Sequence, residues 1–478
     1  MLVLFAAAAS RIVKSAGFGI VCAIVSTFVA GFATAAPLRA GDGVLDPTFA
    51  NGAGVRPIAV DLGGDLADRC GDVAARIDGL LMAGGTSTGA LGNHDWQVTF
   101  LSPDASTAQA RSFAFNAGGS LTDTLGAVAF DAAGRPLLAG SAANSDRTEL
   151  RVCRLTADTL VNDPSWNAGS CLAYDLGAGT AMTVARILEA PDGGLLVAGT
   201  LTQPTVPTTD ENWYVLKLTS TGGIDGGFGF FGVRVLAWNS VTHGTDRLSD
   251  MAVDRRTGTI FLAGSVEGSS EFAGLLARVT PSGNLDINWG NFGGYVDLWL
   301  RDGAFVLSSA AQAIALDPAT GVIWVALRAN SPTGTQLGIT GVTANAGLSE
   351  VGEFGWVAGT FSTISRLVRQ SDGRLLAAGS TADGAIFEVT RFVPFSGTFA
   401  NPDPTFGAAG TAAFNPGASG WGDGRTLCSA ALSAGRPVTF GDSDRPDRDQ
   451  LVMRWANALI FADGFETSDR LEWSSFPP

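Results

Sequence analysis

Apolar residues recur along the chain in short runs that end in alanine and glycine or in a close variant of that pair. The copies are DGLLMAGG, AGRPLLAGS, PDGGLLVAGT, TGTIFLAGS, TGVIWVALR, SDGRLLAAGS and AGRPVTFGD. The glycine of the pair, or the residue in its place, lies at Gly84, Gly140, Gly199, Gly264, Leu327, Gly379 and Gly441. The copies are about 60 residues apart, and a period of this size predicts a repeat architecture built from one supersecondary unit per copy.

Each copy has the same internal pattern of hydrophobic and polar positions. A short strand such as AVAFD (127–131) precedes a turn that contains glycine, the residue that tight hairpins favour. The apolar run follows, and its continuous hydrophobicity predicts a strand buried on both faces. A third strand such as WYVLKL (213–218) alternates and is therefore half-exposed. A fourth strand follows a glycine-rich turn, as in GIDGGFGFFGVRVLAW (223–238).

The two ends of the repeat region distinguish a closed ring from an open stack. The segment LDPTFANGAGVRPIAVD (45–61) contains only a turn and a fourth strand, and the last copy stops after its third strand, QLVMRW (450–455). A solenoid needs capped ends, whereas these two fragments add up to one complete unit. We therefore predict an all-β, seven-bladed β-propeller of four-stranded antiparallel blades over 36–456. Its ring is closed by the N-terminal strand, which joins the last blade.

The first copy, from LDPTF through GGD to DGLLMAG, resembles the delta-60 repeat of exported bacterial tandem-repeat proteins. The resemblance covers roughly 45–455 and is weakest in the fifth copy, where Leu327 replaces the glycine. It implies a propeller-like repeat architecture. It implies no settled activity, so it assigns no catalytic residues.

Four cysteines follow residue 35, and an even number in an exported chain permits two disulfides. In the predicted ring, Cys70 and Cys428 lie on the innermost strands of the first and last blades, which are neighbours across the closure. Cys153 and Cys171 flank one hairpin loop of the second blade. We expect the pairs Cys70–Cys428 and Cys153–Cys171; four buried free thiols are the alternative.

The N-terminal residues 1–35 have the pattern of a signal peptide. Arg11 and Lys14 form a positive region, an apolar run covers 16–32, and Ala-Thr-Ala at 33–35 supplies small residues for cleavage. An uncleaved membrane anchor is the alternative, because the run approaches the length that spans a bilayer. With cleavage, we expect no membrane span and a secreted, periplasmic or cell-surface location.

Composition excludes two classes of protein. Hydrophobic residues make up 46% of the chain and charged residues 16%, so the bulk of the chain is not disordered. The formal net charge of −15 is unsuited to phosphate backbones, so we expect no nucleic-acid partner.

Candidate chemistry is sparse, because the chain contains two histidines and no sequence pattern of a metal site, a nucleophile elbow or a phosphate loop. His94 is expected in a loop before a third strand. A group of charged residues lies where the chain enters the innermost strands, at the predicted mouth of the central channel: Asp68, Arg69, Asp123, His243, Asp246, Arg247, Asp423 and Arg425. These residues could bind a cation or polar ligand, or supply an acid/base pair. The alternative is that they hold the turns between blades by local hydrogen bonds.

The tail at 457–478 breaks the repeat and resembles a short DGFE…W ending of exported bacterial proteins. Its acids Asp463, Glu466 and Asp469 would suit calcium, and a solvated terminal segment is the alternative; we expect no other cofactor. The sequence thus favours an exported, monomeric binding or scaffold module for a protein or glycan. The rival function is a polysaccharide hydrolase or lyase that uses carboxylates at the channel mouth.

Overall fold

The computed structural model describes most of the repeat region. The described ranges are 42–60, 62–89, 92–115, 118–204, 209–238, 244–267, 272–290, 293–298, 300–302, 305–331, 334–343, 355–356, 361–395, 399–444 and 449–457. The predicted signal peptide, His243 and the tail acids proposed to suit calcium lie outside them. Strand accounts for 59% of the described residues, which contain no α-helix, so the prediction of an all-β chain is confirmed.

The strands follow one another along the chain in short hairpins. The first few, with the leading 3₁₀ turn at Ala50–Gly52, are β1 (Val55–Ile58), β2 (Gly63–Ala75), β3 (Leu81–Gly89), β4 (His94–Leu101) and β5 (Ala108–Phe113). Next come β6 (Gly118–Phe130), β7 (Pro136–Asn144), β8 (Thr148–Arg154), a 3₁₀ turn at Asn167–Gly169 and β9 (Leu172–Tyr174). They are followed by β10 (Ala181–Met182), β11 (Arg186–Glu189), β12 (Leu195–Pro204), β13 (Thr209–Leu218) and β14 (Val233–Leu236).

The second half of the chain continues this pattern. Its strands are β15 (Arg247–Val253), β16 (Ile260–Glu267), β17 (Phe272–Val279), β18 (Tyr295–Leu298), β19 (Leu300–Asp302), β20 (Phe305–Leu316), β21 (Ile323–Ser331), β22 (Gly334–Val342) and β23 (Gly355–Trp356). The last are β24 (Phe361–Arg369), β25 (Leu375–Thr381), β26 (Phe387–Phe395), β27 (Phe399–Pro402), β28 (Thr411–Phe414), β29 (Gly424–Ser433), β30 (Arg436–Ser443) and β31 (Gln450–Arg454).

Neighbouring strands pair in antiparallel order within successive groups. The main groups run β2-β3-β4-β5, β6-β7-β8-β9, β11-β12-β13-β14, β15-β16-β17-β18, β20-β21-β22-β23, β24-β25-β26-β28 and β29-β30-β31-β1. Single parallel pairs, His94 with Thr122 and Thr148 with Ala181, join the first three groups into one larger sheet. Four-stranded antiparallel pairing is therefore the repeating element.

The N-terminal strand completes the C-terminal group. Strand β1 pairs with β31 in antiparallel register, so that Val55 lies opposite Met453. Upstream of β1, the carboxylate of Asp46 accepts hydrogen bonds from Arg454 Nε at 2.8 Å and from Arg436 Nη1 at 2.9 Å. The two ends of the repeat region are thus joined by both backbone and side-chain contacts, as the incomplete first and last copies predict.

Both expected disulfides are present. Cys70 on β2 is bonded to Cys428 on β29, with 5.9 Å between their Cα atoms, and the pair spans 358 positions of sequence. Cys153 on β8 is bonded to Cys171, just before β9, with a Cα separation of 4.4 Å. The first disulfide links the first group to the last through β29, which forms the edge opposite to β1 in the sheet β1-β31-β30-β29.

A close backbone approach explains the glycine that ends the apolar run in copies such as the first and the fourth. A Cβ atom on Gly264 would overlap the carbonyl oxygen of Arg247 on the adjacent strand. The residue in the same register in the first copy is Gly85, whose Cβ would overlap the carbonyl oxygen of Arg69. The assignment of Gly84 to this position is therefore wrong by one residue, because two glycines follow one another there.

The hydrophobic core lies between successive groups. Trp213 of β13 packs in one cluster with Leu262 of β16, which belongs to the next group. Trp96 of β4 packs likewise with Leu138 of β7, and its indole N–H donates to the carbonyl of Ser141 at 3.2 Å. Each group therefore buries its apolar faces against its neighbours, as stacked repeats must.

Candidate functional site

One position recurs on the first strand of every group, directly after a backbone irregularity. A β-bulge precedes this position in six groups, and in the third group the gap between β10 and β11 precedes it. The residues at the position are, in chain order, Asp72, Ala127, Arg186, Asp250, Ala313, Arg366 and Ser429. The order aspartate, alanine, arginine thus occurs twice and is followed by one serine.

The charged members of this set contact one another across the molecule. Arg366 donates through Nη2 to Asp72 at 2.6 Å and through Nη1 to Asp250 at 3.2 Å. Arg186 lies 3.6 Å from both carboxylates. Ser429 donates its hydroxyl to Asp72 at 2.5 Å. We call these five residues the central network.

The carboxylates of the central network also bind the backbone of the following group. Asp72 accepts the N–H of Val128 at 3.1 Å, and Asp250 accepts the N–H of Ile314 at 3.0 Å. Each also accepts the N–H of the next residue in the chain at 2.9 Å. The two aspartates therefore make equivalent contacts in different groups. In each case the following group has an alanine, Ala127 or Ala313, at the recurring position.

The central network balances two positive charges against two negative ones. Burial would raise the pKa of Asp72, but Arg366, Arg186 and the hydrogen bond of Ser429 together hold it below its ordinary value of 3.8. Burial would lower the pKa of Arg366, and the charges of Asp72 and Asp250 raise it instead. A buried, paired and hydrogen-bonded set of this kind keeps its charges, because removing one partner leaves the other uncompensated.

A cavity of about 420 Å³ lies against the central network. Its lining residues come from β2, β6, β11, β15, β20, β24 and β29, the first long strand of each group. Arg186 and Arg366 contribute to the lining, whereas most of the remaining wall is aliphatic, as at Ala74, Leu188 and Val368. One pocket is thus shared by all the groups, with charged residues beside an apolar wall.

Three of the acids predicted at the channel mouth are buried and bind backbone. The carboxylates of Asp68, Asp123 and Asp246 each accept the N–H of the residue eight positions earlier, at 2.9, 2.9 and 3.2 Å. Asp246 accepts a second N–H, from Glu267, at 3.2 Å. The recurrence of one contact in three groups favours the interpretation in which these acids hold turns; ligand binding by them stays a prediction.

Asp246 is a weaker acid than an ordinary aspartate, because its pKa is raised. Burial raises its pKa to about 6, against the opposing effect of its two backbone hydrogen bonds, and the negative charges of Asp210 and Glu267 add to the increase. Burial also raises the pKa of Asp123. A carboxyl group of this acidity changes its protonation state near neutral pH, which is the property of a general acid.

The arginines predicted beside these acids lie at the surface. Arg247 is paired with Glu211 at 2.8 Å, and Arg425 is paired with Asp444 at 3.0 Å. Arg69 is exposed. The side chains of Arg247 and Arg425 are 65% and 56% exposed. Their ion pairs therefore contribute little to stability.

The remaining predicted residues do not join the buried acids. Asp423 is exposed, and its backbone carbonyl accepts the N–H of Asp444 at 2.7 Å. His94 is the first residue of β4 and lies 3.3 Å from the hydroxyl of Thr88, so its assignment to the preceding loop is wrong.

Two further properties of the described residues bear on function. They contain no group of three or more histidine, cysteine, aspartate or glutamate side chains that could hold a metal ion. In the same ranges, no helix is long and apolar enough to cross a membrane.

Sequence reasoning missed the central network, although its signal was present. Asp72 and Asp250 end the strings GDLADRCGD and HGTDRLSD, which also contain the predicted site residues Asp68 and Asp246. Arg186 and Arg366 were not selected, because their surroundings, ARILE and SRLVR, share no motif with those strings. Alignment of the copies on the bulge, with Gly85 in the first copy, would have placed all four at one position.

Comparison with known proteins gives distant structural likenesses. No protein-family model matches the sequence, and no curated protein matches it. The chain is similar to Sqt1 from Chaetomium thermophilum, with 11% identity and a TM-score of 0.43 over 84% of this chain and 100% of that one. It is similar to the polysaccharide lyase Uly1, with 11% identity and a TM-score of 0.47 over 81% and 89%. It is also similar to the soluble aldose sugar dehydrogenase from Escherichia coli, with 12% identity and a TM-score of 0.38 over 70% of this chain and 96% of that one. Likenesses this distant indicate no function.

Proposed function

We propose that the chain is an exported, seven-bladed β-propeller of the delta-60 type that acts as a binding module for a protein or glycan. The ring is supported by the pairing of β1 with β31 and by the cavity lined from seven first strands. A closed ring of this kind is rigid and presents loops of variable sequence, which suits recognition. The two disulfides support export, because such bonds persist in oxidising compartments.

An exposed aromatic pair is the observation that carries the binding function. Phe230 and Phe231, in the turn before β14, are 75% and 74% exposed, with ring centroids 4.7 Å apart. Phe231 has a φ of 51°, a left-handed conformation that is unfavourable for a bulky side chain. Two large apolar rings held in water by a strained turn are typical of a recognition surface.

The binding function is tested on a glycan array, with a set of candidate envelope proteins immobilised beside the glycans. We expect the wild type to be retained on specific members, and the double variant Phe230→Ser/Phe231→Ser to lose that retention without a change in melting temperature. Val161→Ser, which changes another exposed apolar residue (52% exposed), is the matched control. Retention that survives in the phenylalanine variant would reject this surface.

Asp246 favours a second candidate, a polysaccharide hydrolase or lyase. Its pKa of about 6 and its neighbours Asp210 and Glu267 are features of a general acid among carboxylates. The equivalent contacts of Asp68 and Asp123 argue against it, because a catalytic role does not require the same hydrogen bond in three groups.

A polysaccharide-cleavage screen separates the two functions. We expect the wild type to release no product, and Asp68→Asn/Asp246→Asn to melt at a lower temperature, because each asparagine keeps fewer acceptors for buried N–H groups. Cleavage that falls above about pH 6 and is abolished by the double variant would establish the enzyme instead. Asp254→Asn, in a surface turn, is the matched control.

A further inference from the structure

Arg186 has hydrogen-bonding capacity that the described residues do not use. Its Nε is buried and has no hydrogen-bond partner within the described ranges. Its two contacts with carboxylates, Asp72 and Asp250, are both 3.6 Å long, beyond the usual range of an N–H···O hydrogen bond. The side chain is 24% exposed and lines the cavity.

The carboxylates beside Arg186 are already occupied. Asp72 accepts Arg366, Ser429 and two backbone N–H groups, and Asp250 accepts Arg366 and two backbone N–H groups. The other arginine of the lining, Arg369, is paired with Asp317 at 3.1 Å. Among the lining arginines, Arg186 therefore has donors without a hydrogen-bond partner within the described ranges, as does Nε of Arg369. The carboxylates of Asp72 and Asp250, by contrast, are already engaged. A ligand that complements the cavity must bring an acceptor.

The rest of the cavity wall indicates the chemistry of the part of the ligand that does not contact Arg186. Ala74, Leu188, Ala252, Val368 and Ala431 line the cavity and are half-buried. The volume of about 420 Å³ lies within the range of small-molecule sites, which are mostly apolar with a few placed polar groups.

We propose that the cavity binds a small monocarboxylate with an aliphatic body, whose carboxylate is received by Arg186. The planar guanidinium presents parallel N–H donors, which match a carboxylate in a bidentate pair. The aliphatic body lies along the alanine and leucine wall and is removed from water there. This site goes beyond the proposed recognition by the outer loops and does not require the aromatic pair.

The test is isothermal titration of the full chain with decanoate and with decanamide, its uncharged counterpart of similar shape. We expect one molecule of decanoate to bind per chain, at least tenfold more tightly than decanamide, because a charged acceptor on arginine is stronger than a neutral one. Equal affinity for the two, or no binding of decanoate at millimolar concentration, would overturn the proposal.

Variants locate the site. Arg186→Gln should reduce decanoate affinity at least tenfold and leave decanamide unchanged, whereas Leu188→Trp should abolish binding of both by filling the cavity. Ile287→Trp, at a surface position that is 70% exposed, should change neither affinity. Decanoate binding that is unchanged in Arg186→Gln would reject the assignment. If Arg186→Gln fails to fold, the comparison of decanoate with decanamide in the wild type and the loss of binding in Leu188→Trp still test whether the cavity binds a carboxylate.

Discussion

The side chains of the central network show how a charge is kept inside a β-structure. Asp72 is 1% exposed and Arg366 is 8% exposed in their side chains. Neither charge has water to solvate it, so each depends on the other and on backbone N–H groups. The same position is filled by alanine in two groups, where no partner is required.

Removal of one charge from this network should cost far more than removal of a surface charge. We expect Arg366→Ala to lower the free energy of unfolding by about 3–5 kcal/mol at neutral pH, because Asp72 and Asp250 would stay buried with fewer partners. Urea denaturation measures this. Arg247→Ala, which breaks a pair with a 65% exposed arginine, should cost less than about 1 kcal/mol. Equal losses in the two variants would refute the role of the network.

The pH dependence of this loss follows from the lowered pKa of Asp72. A depressed carboxyl pKa contributes stability above the unfolded value of 3.8 and loses it as the pH falls through the folded value. The difference between the wild type and Arg366→Ala should therefore be full at neutral pH and shrink below about pH 4.

At the scale of the strand, the conserved geometry is a bulge faced by a glycine. The bulge precedes a buried charged residue on β2, β15 and β24. On β2 and β15, the carbonyl of the arginine before the bulge, Arg69 or Arg247, lies against the neighbouring strand. A side chain has no space at Gly85 or Gly264, which explains the glycine there, whereas the fifth copy has Leu327 in this register.

Gly264→Ala tests this geometry. Its Cβ would overlap the carbonyl oxygen of Arg247 and approach the ring of Trp213, so we expect a loss of about 1–3 kcal/mol in unfolding free energy. Gly226→Ala, whose Cβ would meet nothing within 4 Å, should change stability by less than about 0.5 kcal/mol. Similar melting curves for the two variants would contradict the explanation.

At the scale of the strand, the sequence predicts which segments form strands better than it predicts the register in which neighbouring strands pair. The alternation in 213–218 and the turn chemistry specify β13 and its neighbours, because burial and turns are local properties. The position of the bulge is not local: it depends on which of Gly84 and Gly85 meets the carbonyl of Arg69. For that reason the sequence predicts the strands, whereas it does not predict the shared position after the bulge.

At the scale of the molecule, the pairing of β1 with β31 joins segments from opposite ends of the repeat region. The incomplete first and last copies predicted the pairing of β1 with β31, and the positions of Cys70 and Cys428 predicted the disulfide. The candidate site was less predictable, because Arg186 and Arg366 meet Asp72 only after separate groups have assembled.

Deletion of 45–61 tests the closure. We expect loss of the whole fold and not of one edge, because β31 would lose its partner and Arg454 would lose the carboxylate of Asp46. Hydrogen exchange measures this as a loss of protection in strands far from the deletion, such as β16. Protection lost only in β29–β31 would show an open stack of repeats.

The central network also lies between the buried acids Asp68, Asp123 and Asp246 and the cavity. Asp68 on β2 and Asp123 on β6 precede the position after the bulge, and Asp246 lies directly before β15; the cavity wall follows that position, as at Ala74 and Ala252. Four charged side chains and a serine lie between the two sets. In the proposed ring, these five side chains separate the two ends of the axis. We therefore expect a solute that enters the cavity from its apolar side to leave by the same side, so that each face can acquire a ligand of its own.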